Sequence, residues 1–423
     1  MQKHLNLIVT VLILCSVLLL LVIIGPEVRG SIEAADEDSN IKKMQAEPVT
    51  EIQSEEKPGK TTQGTVEENK NISDVTCEIV EPKVTFGLKY QQYPLTYTYI
   101  LVQNSAVHIR TGPSVEEAVI RDAVRNEKLD YIETVKNNEN WYHISWKVND
   151  QARFGFVNAD VVTKRIFQFD KMHDAVQTAV KESQGSVLTY INNYHNRKGY
   201  APLYHGQPTD NYGGNRSQSA PGYLNPADLT EFHYISDGTL VKISDSGSKY
   251  TKVSMINSDK VYFIPNNYIA TPTAITEIKK AVVIDRGNQN EVVFEKTGED
   301  WKVISYTLAT TGTTGVYQQP TPLGYYYAME KRERFYYYKD GTTSIQGYAP
   351  YALRFSGGAY IHGIPVNFKH TAQGVRIDPG KVEYSGTIGT VPLSHKCVRN
   401  YTSHAKFLYD WYAPGEMIVI VME

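Results

Sequence analysis

Ser394-His395-Lys396-Cys397-Val398-Arg399, with Ile361-His362-Gly363 upstream of it, is the text on which the reading of this chain turns. The 423 residues contain three cysteines. Cys15 lies in an apolar run and Cys77 in a polar stretch without aromatics, so Cys397 is the cysteine set within sequence that reads as folded domain. A thiol flanked by His395 and Arg399, with His362 upstream, has the ingredients of an activated nucleophile. Nearby cations favour the thiolate, and an imidazole can take its proton. A lone cysteine is more often a buried apolar side chain. It is the pattern around this one that favours chemistry.

The set resembles the L,D-transpeptidase (YkuD-type) catalytic domain, whose motif runs His-Gly and then Ser-His-Gly-Cys-x-Arg or Asn. His362-Gly363 matches the first half, and Ser394, His395, Cys397 and Arg399 match the second. Val282-Val283-Ile284-Asp285 followed by Asn288-Gln289 resembles the opening hairpin of such domains. Thr311-Gly312, Thr321-Pro322-Leu323-Gly324 and Phe355-Ser356-Gly357-Gly358 follow in the family's order, and the likeness covers about residues 279–423. It implies a β-sandwich or barrel in which Cys397 attacks a cell-wall stem peptide and His362 is its base. The Gly363 carbonyl would orient the imidazole, and the backbone N–H groups of Cys397 and Lys396 are the oxyanion candidates. Arg399 either holds a substrate carboxylate or braces the loop. His395 and Ser394 are expected to be structural, and His370 and His404 to lie at the surface.

Two features depart from the family pattern. Lys396 replaces the glycine before the nucleophile, and glycine often marks a left-handed backbone or a close approach. His362 and Cys397 also stand 35 positions apart, a longer interval than is usual in the family. The extra residues, about 369–390, include Gly374, Pro379, Gly380, Gly386 and Gly389 and read as a loop or extra hairpin, a candidate lid.

Composition narrows the classes. A net charge of −3, with no basic cluster carrying interleaved aromatics, gives no footing for nucleic-acid binding. So few cysteines exclude a disulfide-stapled fold, and a Cys77–Cys397 bridge would disable the proposed nucleophile. No ligand-spaced cluster of His, Cys and carboxylates stands out, so neither a metal nor a cofactor is expected. Lys3 and His4 precede an uncharged run from Leu5 to Ile24, long enough at ~1.5 Å per residue to span a ~30 Å hydrocarbon core. The lysine on the short side favours a cytoplasmic tip and an external body. Residues 1–26 therefore read as a single-pass membrane anchor, with a removed signal cleaved near Ala34-Ala35 as the alternative, and the expected location is the cell membrane of a Gram-positive-type bacterium, with the body at the cell wall.

The expected architecture is a mainly β, membrane-anchored multidomain chain. Residues 27–95 read as a disordered acidic tether: no aromatic occurs before Phe86, and acidic residues outnumber lysines. In 96–165, Val107-His108-Ile109-Arg110-Thr111-Gly112-Pro113-Ser114 and Phe154-Gly155-Phe156-Val157 bracket several short strands. Their wording resembles a bacterial Src-homology-3-like barrel, with Trp141, Tyr142 and Trp146 as either groove or core. Residues 166–198 carry helical spacing at Phe169, Met172, Val176 and Val180, and again at Val187, Leu188, Ile191 and Tyr194, predicting two short helices. Residues 199–275 read as a second, divergent Src-homology-3-like unit, and 276–423 as the catalytic domain. A helix is expected between Ser403 and Trp411, and the triplets Tyr325–Tyr327 and Tyr336–Tyr338 are expected to share one hairpin.

Three functions remain open at this level. The first is cysteine-dependent transpeptidation of peptidoglycan tetrapeptide stems through a thioester, giving 3→3 cross-links. The second is a sortase-like transpeptidase, although Pro392-Leu393-Ser394-His395-Lys396-Cys397 lacks the sortase Thr-Leu-x-Thr-Cys strand. The third is a wall-binding or scaffolding protein that has lost catalysis, with Lys396 as the lesion.

Overall fold

The computed structural model describes residues 74–76, 81–93, 95–271, 275 and 277–423. The run Leu5–Ile24, Cys77 and most of the expected tether lie outside the described residues. Among the described residues no helix is long and apolar enough to cross a membrane.

The C-terminal region, expected to be catalytic, is built on Lys280–Asp285, a strand whose side chains are buried on both faces, which is why its sequence is apolar without alternation. It pairs antiparallel with Asn290–Thr297 and parallel with the C-terminal strand Met417–Met422. Gly324–Tyr327, Asp300–Leu308 and Thr85–Phe86 complete a six-stranded sheet. One face, carrying Val282, Ile284, Val293, Val419 and Val421, packs on a second sheet through Leu353, Phe355, Ile361 and Val398. The opposite face, with Ala281, Val283, Val292 and Phe294, takes the helix Phe169–Ser183 through Phe169, Met172, Val176 and Ala179. The second sheet runs Glu330–Tyr338, Ile345–Ser356, Ala359–His362, Val398–Arg399.

Residues 81–93, the end of the expected tether, pack on this region. Thr85–Phe86 pairs with Lys302 and Val303, and Phe86 stacks on Tyr97. The strands expected in 96–165 are present, and their core is Ile100, Val107, Ile109, Leu129, Tyr131, Ile144 and Val157. They form one open sheet, not the closed barrel expected. Its end strands, Val119–Ala123 and Thr163–Ile166, each pair on one side only. Trp141 is core, whereas Tyr142 and Trp146 are half-buried, with Arg121 lying over Trp146 at 4.5 Å. Buried Arg165 donates to Gly287 O (2.9 Å) and Thr390 O (2.8 Å), which ties this sheet to the catalytic region.

The first predicted helix is present at Phe169–Ser183, but the second is not. Gly185, at φ +71°, ends the helix, and Val187–Tyr190 is a strand on Leu240–Ile243. The neighbours Leu188 and Thr189 are both buried in it and Ile191 is buried just beyond it, so the apolar spacing that suggested a helix reflects two-sided contact of a strand. That strand opens a six-stranded sheet formed with the strands between Ser219 and Pro265. The tyrosine triplets belong to different sheets: Tyr325–Tyr327 pairs with Ile418–Ile420, and Tyr336–Tyr338 with Ile345–Tyr348.

The helix Thr402–Trp411 buries His404, Ala405 and Leu408, so His404 is a core residue and not the surface residue expected; His370 is exposed. His404 Nε2 meets Ser305 Oγ at 2.8 Å, and its Nδ1 lies 3.7 Å from the fully buried Glu291. Burial lowers the His404 pKa to about 3 and raises that of Glu291 to about 8, so both are neutral at pH 7. Glu291 ionises near the ordinary 4.5 when unfolded. Its burial therefore favours the fold fully below that pH, and the benefit is lost as pH rises towards about 8, at roughly 1.4 kcal/mol per unit. Replacing Glu291→Gln should remove this slope. In urea unfolding, the variant's gain over the parent should grow from pH 5 to pH 8; a pH-independent difference would refute the neutral-acid assignment.

Candidate active site

The parallel pairing of Ala359–His362 with Val398–Arg399 places Ile361 against Val398 and His362 against Arg399. Side chains alternate along a strand, so Tyr360 and His362 share a face with Cys397 and Arg399. His362, Cys397, Ser394, His395 and Arg399 accordingly line one narrow pocket, closed by Phe335, Tyr337, Ala349 and Pro365. All the residues singled out in the two motifs converge here or border it.

Cys397 is 5% exposed and forms no disulfide among the described residues. Its Sγ lies 3.6 Å from Gly358 O, to which the thiol donates. The loop before it is held from both sides. Ser394 Oγ donates to Cys397 O at 2.5 Å, and Thr321 Oγ1 donates to Lys396 O at 2.9 Å. Gln319 N donates to His395 O (2.6 Å), and Thr313 N to Ser394 O (2.9 Å). A Cβ at Gly312 would stand 2.3 Å from Gln319 O and 2.8 Å from Lys396 Cα, which explains the glycine of the Thr311-Gly312 pair. Lys396 itself is not among the residues with left-handed backbone, so the position does not require the family's glycine for conformational reasons.

His362 is 4% exposed, and its Nδ1 donates to Gly363 O at 2.6 Å. Burial pulls its pKa down to about 4; the Gly363 bond opposes this and Arg399 adds to it. The imidazole is therefore neutral at pH 7, with the proton on Nδ1 and Nε2 as the basic nitrogen. Gly363 is fixed in turn. Its N–H donates to Pro350 O at 2.9 Å, and a Cβ there would meet Thr402 Oγ1 at 2.7 Å and Pro350 Cγ at 3.0 Å. His395 Nε2 lies 3.4 Å from Asp340 Oδ2, and burial lowers its pKa while Asp340 opposes.

A larger cleft of about 480 Å³ adjoins this pocket. Its walls include His395, Lys396, Phe335, Arg332 and Arg334 and, from the 187–271 region, Tyr194 and Gln218. The inserted segment 369–390 lines neither pocket. It holds a small hairpin, Lys369–His370 with Arg376–Ile377, anchored by Asp378 to Arg334 at 2.8 Å and to Tyr348 at 3.1 Å, so it buttresses the outside of the sheet and is no lid in this conformation. Sequence reasoning missed Gly358, Asp340 and the Tyr194–Gln218 wall. Gly358 was legible only as part of a strand connection, and the others lie far from the motif in the chain. Among the described residues no cluster of three His, Cys, Asp or Glu side chains is placed to hold a metal ion. Replacing Gly363→Ala should cost about 1–3 kcal/mol by overpacking, measured by urea unfolding; an unchanged midpoint would contradict the contacts with Thr402 and Pro350.

Residues 279–421 match the family model of the L,D-transpeptidase catalytic domain, YkuD. No curated protein matches the chain. Solved structures that resemble it include a fused zinc-dependent amidase/peptidase/peptidoglycan-binding domain-containing protein from Clostridium acetobutylicum, 22% identical, covering 36% of this chain and 55% of the other at a TM-score of 0.24. The chain thus spans about half of that protein. An L,D-transpeptidase from Mycobacterium smegmatis is 17% identical, over 43% of this chain and 82% of the other, with a TM-score of 0.27. L,D-transpeptidase 3 from Mycobacterium tuberculosis is 14% identical over 44% and 93%, with a TM-score of 0.26. The C-terminal third of the chain, residues 279–421, is a YkuD-type L,D-transpeptidase catalytic domain.

Proposed function

We propose that the protein is a cysteine-dependent peptidoglycan L,D-transpeptidase that works on tetrapeptide stems and makes 3→3 cross-links. The observation that carries this reading is the placement of the Cys397 thiol and a neutral, tautomer-fixed His362 on one face, in one pocket. Cys397 Sγ attacks the carbonyl between the third stem residue and the terminal D-Ala, and its proton passes to His362 Nε2. The C–N bond breaks, D-Ala leaves as an amine carrying that proton, and a thioester remains. A neighbouring stem's amine then attacks the thioester, loses a proton through His362, and releases the thiol.

Burial makes a lasting imidazolium costly, so His362 acts as a transient carrier of the proton and not as a partner in a resting ion pair. The N–H groups of Cys397 and Lys396 are the oxyanion donors in this reading, each worth on the order of 3 kcal/mol in such sites. Arg399 borders the pocket and supplies a cation for a stem carboxylate. The segment Leu5–Ile24 anchors the chain in the membrane, and the catalytic region faces the wall outside it.

Intact-mass measurement of the protein incubated with a disaccharide-tetrapeptide tests the reaction class. The expected result is an adduct equal to the stem minus D-Ala, absent in Cys397→Ala and reduced by about 10²-fold or more in rate in His362→Ala. Folded protein with an intact thiol that gives neither adduct nor released D-Ala would overturn the mechanism.

A further inference from the structure

The six-stranded sheet of residues 187–271 reaches into the catalytic region through one turn. Asp237 is fully buried there. Its Oδ1 accepts from Asn193 N (2.7 Å), and its Oδ2 accepts from Arg354 Nη1 (2.6 Å) and Gly357 N (3.2 Å). Gly238, at φ +85°, brings the turn so close that a Cβ would stand 2.0 Å from Phe355 O. The carbonyl of Gly238 accepts from Tyr327 N at 2.9 Å, so the turn is bonded to both catalytic sheets.

What it touches is the connection Ser356-Gly357-Gly358. The carbonyl of Gly358 is the acceptor for the Cys397 thiol. Arg354, 9% exposed in its side chain, also donates to Glu330 Oε1 at 2.9 Å and lies over the Tyr194 ring at 4.0 Å. Tyr194 OH meets Tyr360 OH at 2.9 Å, and Tyr360 packs in the same cluster as Cys397. The turn that carries Gly358, and Tyr360 in the core cluster of Cys397, are thus tied to residues of the 187–271 region.

We propose that Asp237 is a positioning residue for the nucleophile: it holds the Gly357-Gly358 turn against Cys397, so that the 187–271 sheet is a working part of the active site and not only a neighbouring module. The inference rests on the transpeptidase reading for its consequence in turnover, but not for its consequence at the thiol. A hydrogen bond from the thiol to Gly358 O favours the protonated form. Loosening the turn therefore makes the thiolate easier to form while spoiling its aim.

The test uses the full chain and its Asp237→Asn variant, with circular dichroism to verify folding. Iodoacetamide alkylation of Cys397 is followed against pH, and stem acylation is followed for kcat and KM. The expected result is a lower alkylation midpoint and a faster rate at pH 7, with kcat for acylation down about tenfold or more and KM within about twofold. A purely docking role would lower the melting temperature and leave both alkylation and kcat at parental values; that result overturns the proposal. Arg354→Lys, which keeps the charge but loses the fork, should shift both readings in the same directions and decides the matter if Asp237→Asn does not fold. If the parent shows no acyl transfer, the transpeptidase reading fails, and the alkylation profiles alone still uphold or overturn the positioning role.

Discussion

The pairing of Ile361 with Val398 and of His362 with Arg399 is the constraint on which the site depends. Two segments 35 positions apart in sequence become adjacent parallel strands, and strand alternation then delivers His362 and Cys397 to one face. The pairing stands because Ile361 and Val398 are both buried between the sheets, against Val282, Ile284 and Val419. A one-residue slip would turn these apolar side chains out of the core and take His362 off the pocket face at the same time. Packing and chemistry are therefore set by the same register. The long interval between the two strands is accommodated by 369–390, whose Asp378 folds back on Tyr348 and Arg334 while Thr387, Ile388 and Thr390 are buried.

Electrostatics at the site favour neutrality. His362 is buried, is held by a carbonyl through Nδ1 and faces Arg399, and each of burial and Arg399 disfavours the imidazolium. The thiol donates to a carbonyl at Gly358. The resting arrangement is thus a thiol donating to a carbonyl in the same pocket as a neutral imidazole. A neutral imidazole spares the pocket a second positive charge beside the Arg399 guanidinium. The neutral Glu291 and His404 nearby follow the same rule for a purely structural reason: neither finds enough partners in the core to remain charged.

Much of the site was legible in the chain. Local motifs singled out Cys397, His362 and Gly363, and the structure brings the first two into one pocket with Gly363 O on the imidazole. The structure also showed why Thr311-Gly312 and Thr321 belong to the pattern: they clamp the nucleophile loop from the far side. The failures share a cause. Val187–Tyr190 was read as helix because a strand contacted on two faces mimics helical spacing, and the tyrosine triplets were joined because β-propensity says nothing about which sheet a strand enters. His404 was placed at the surface because no local signal announces a buried polar residue whose partners, Ser305 and Glu291, are a hundred positions away. The role of Asp237 was invisible for the same reason: its partners Arg354 and Gly357 are remote in sequence.

The site rests on a neutral His362, protonated at Nδ1, in the same pocket as the Cys397 thiol. The most direct test of that state is a histidine-labelled NMR titration of the full chain, with His362→Gln to assign the signal. The expected result is the Nδ1–H tautomer throughout neutral pH, with protonation only near about 4. A His362 that titrates near the ordinary 6.5, or that carries its proton on Nε2, would contradict it.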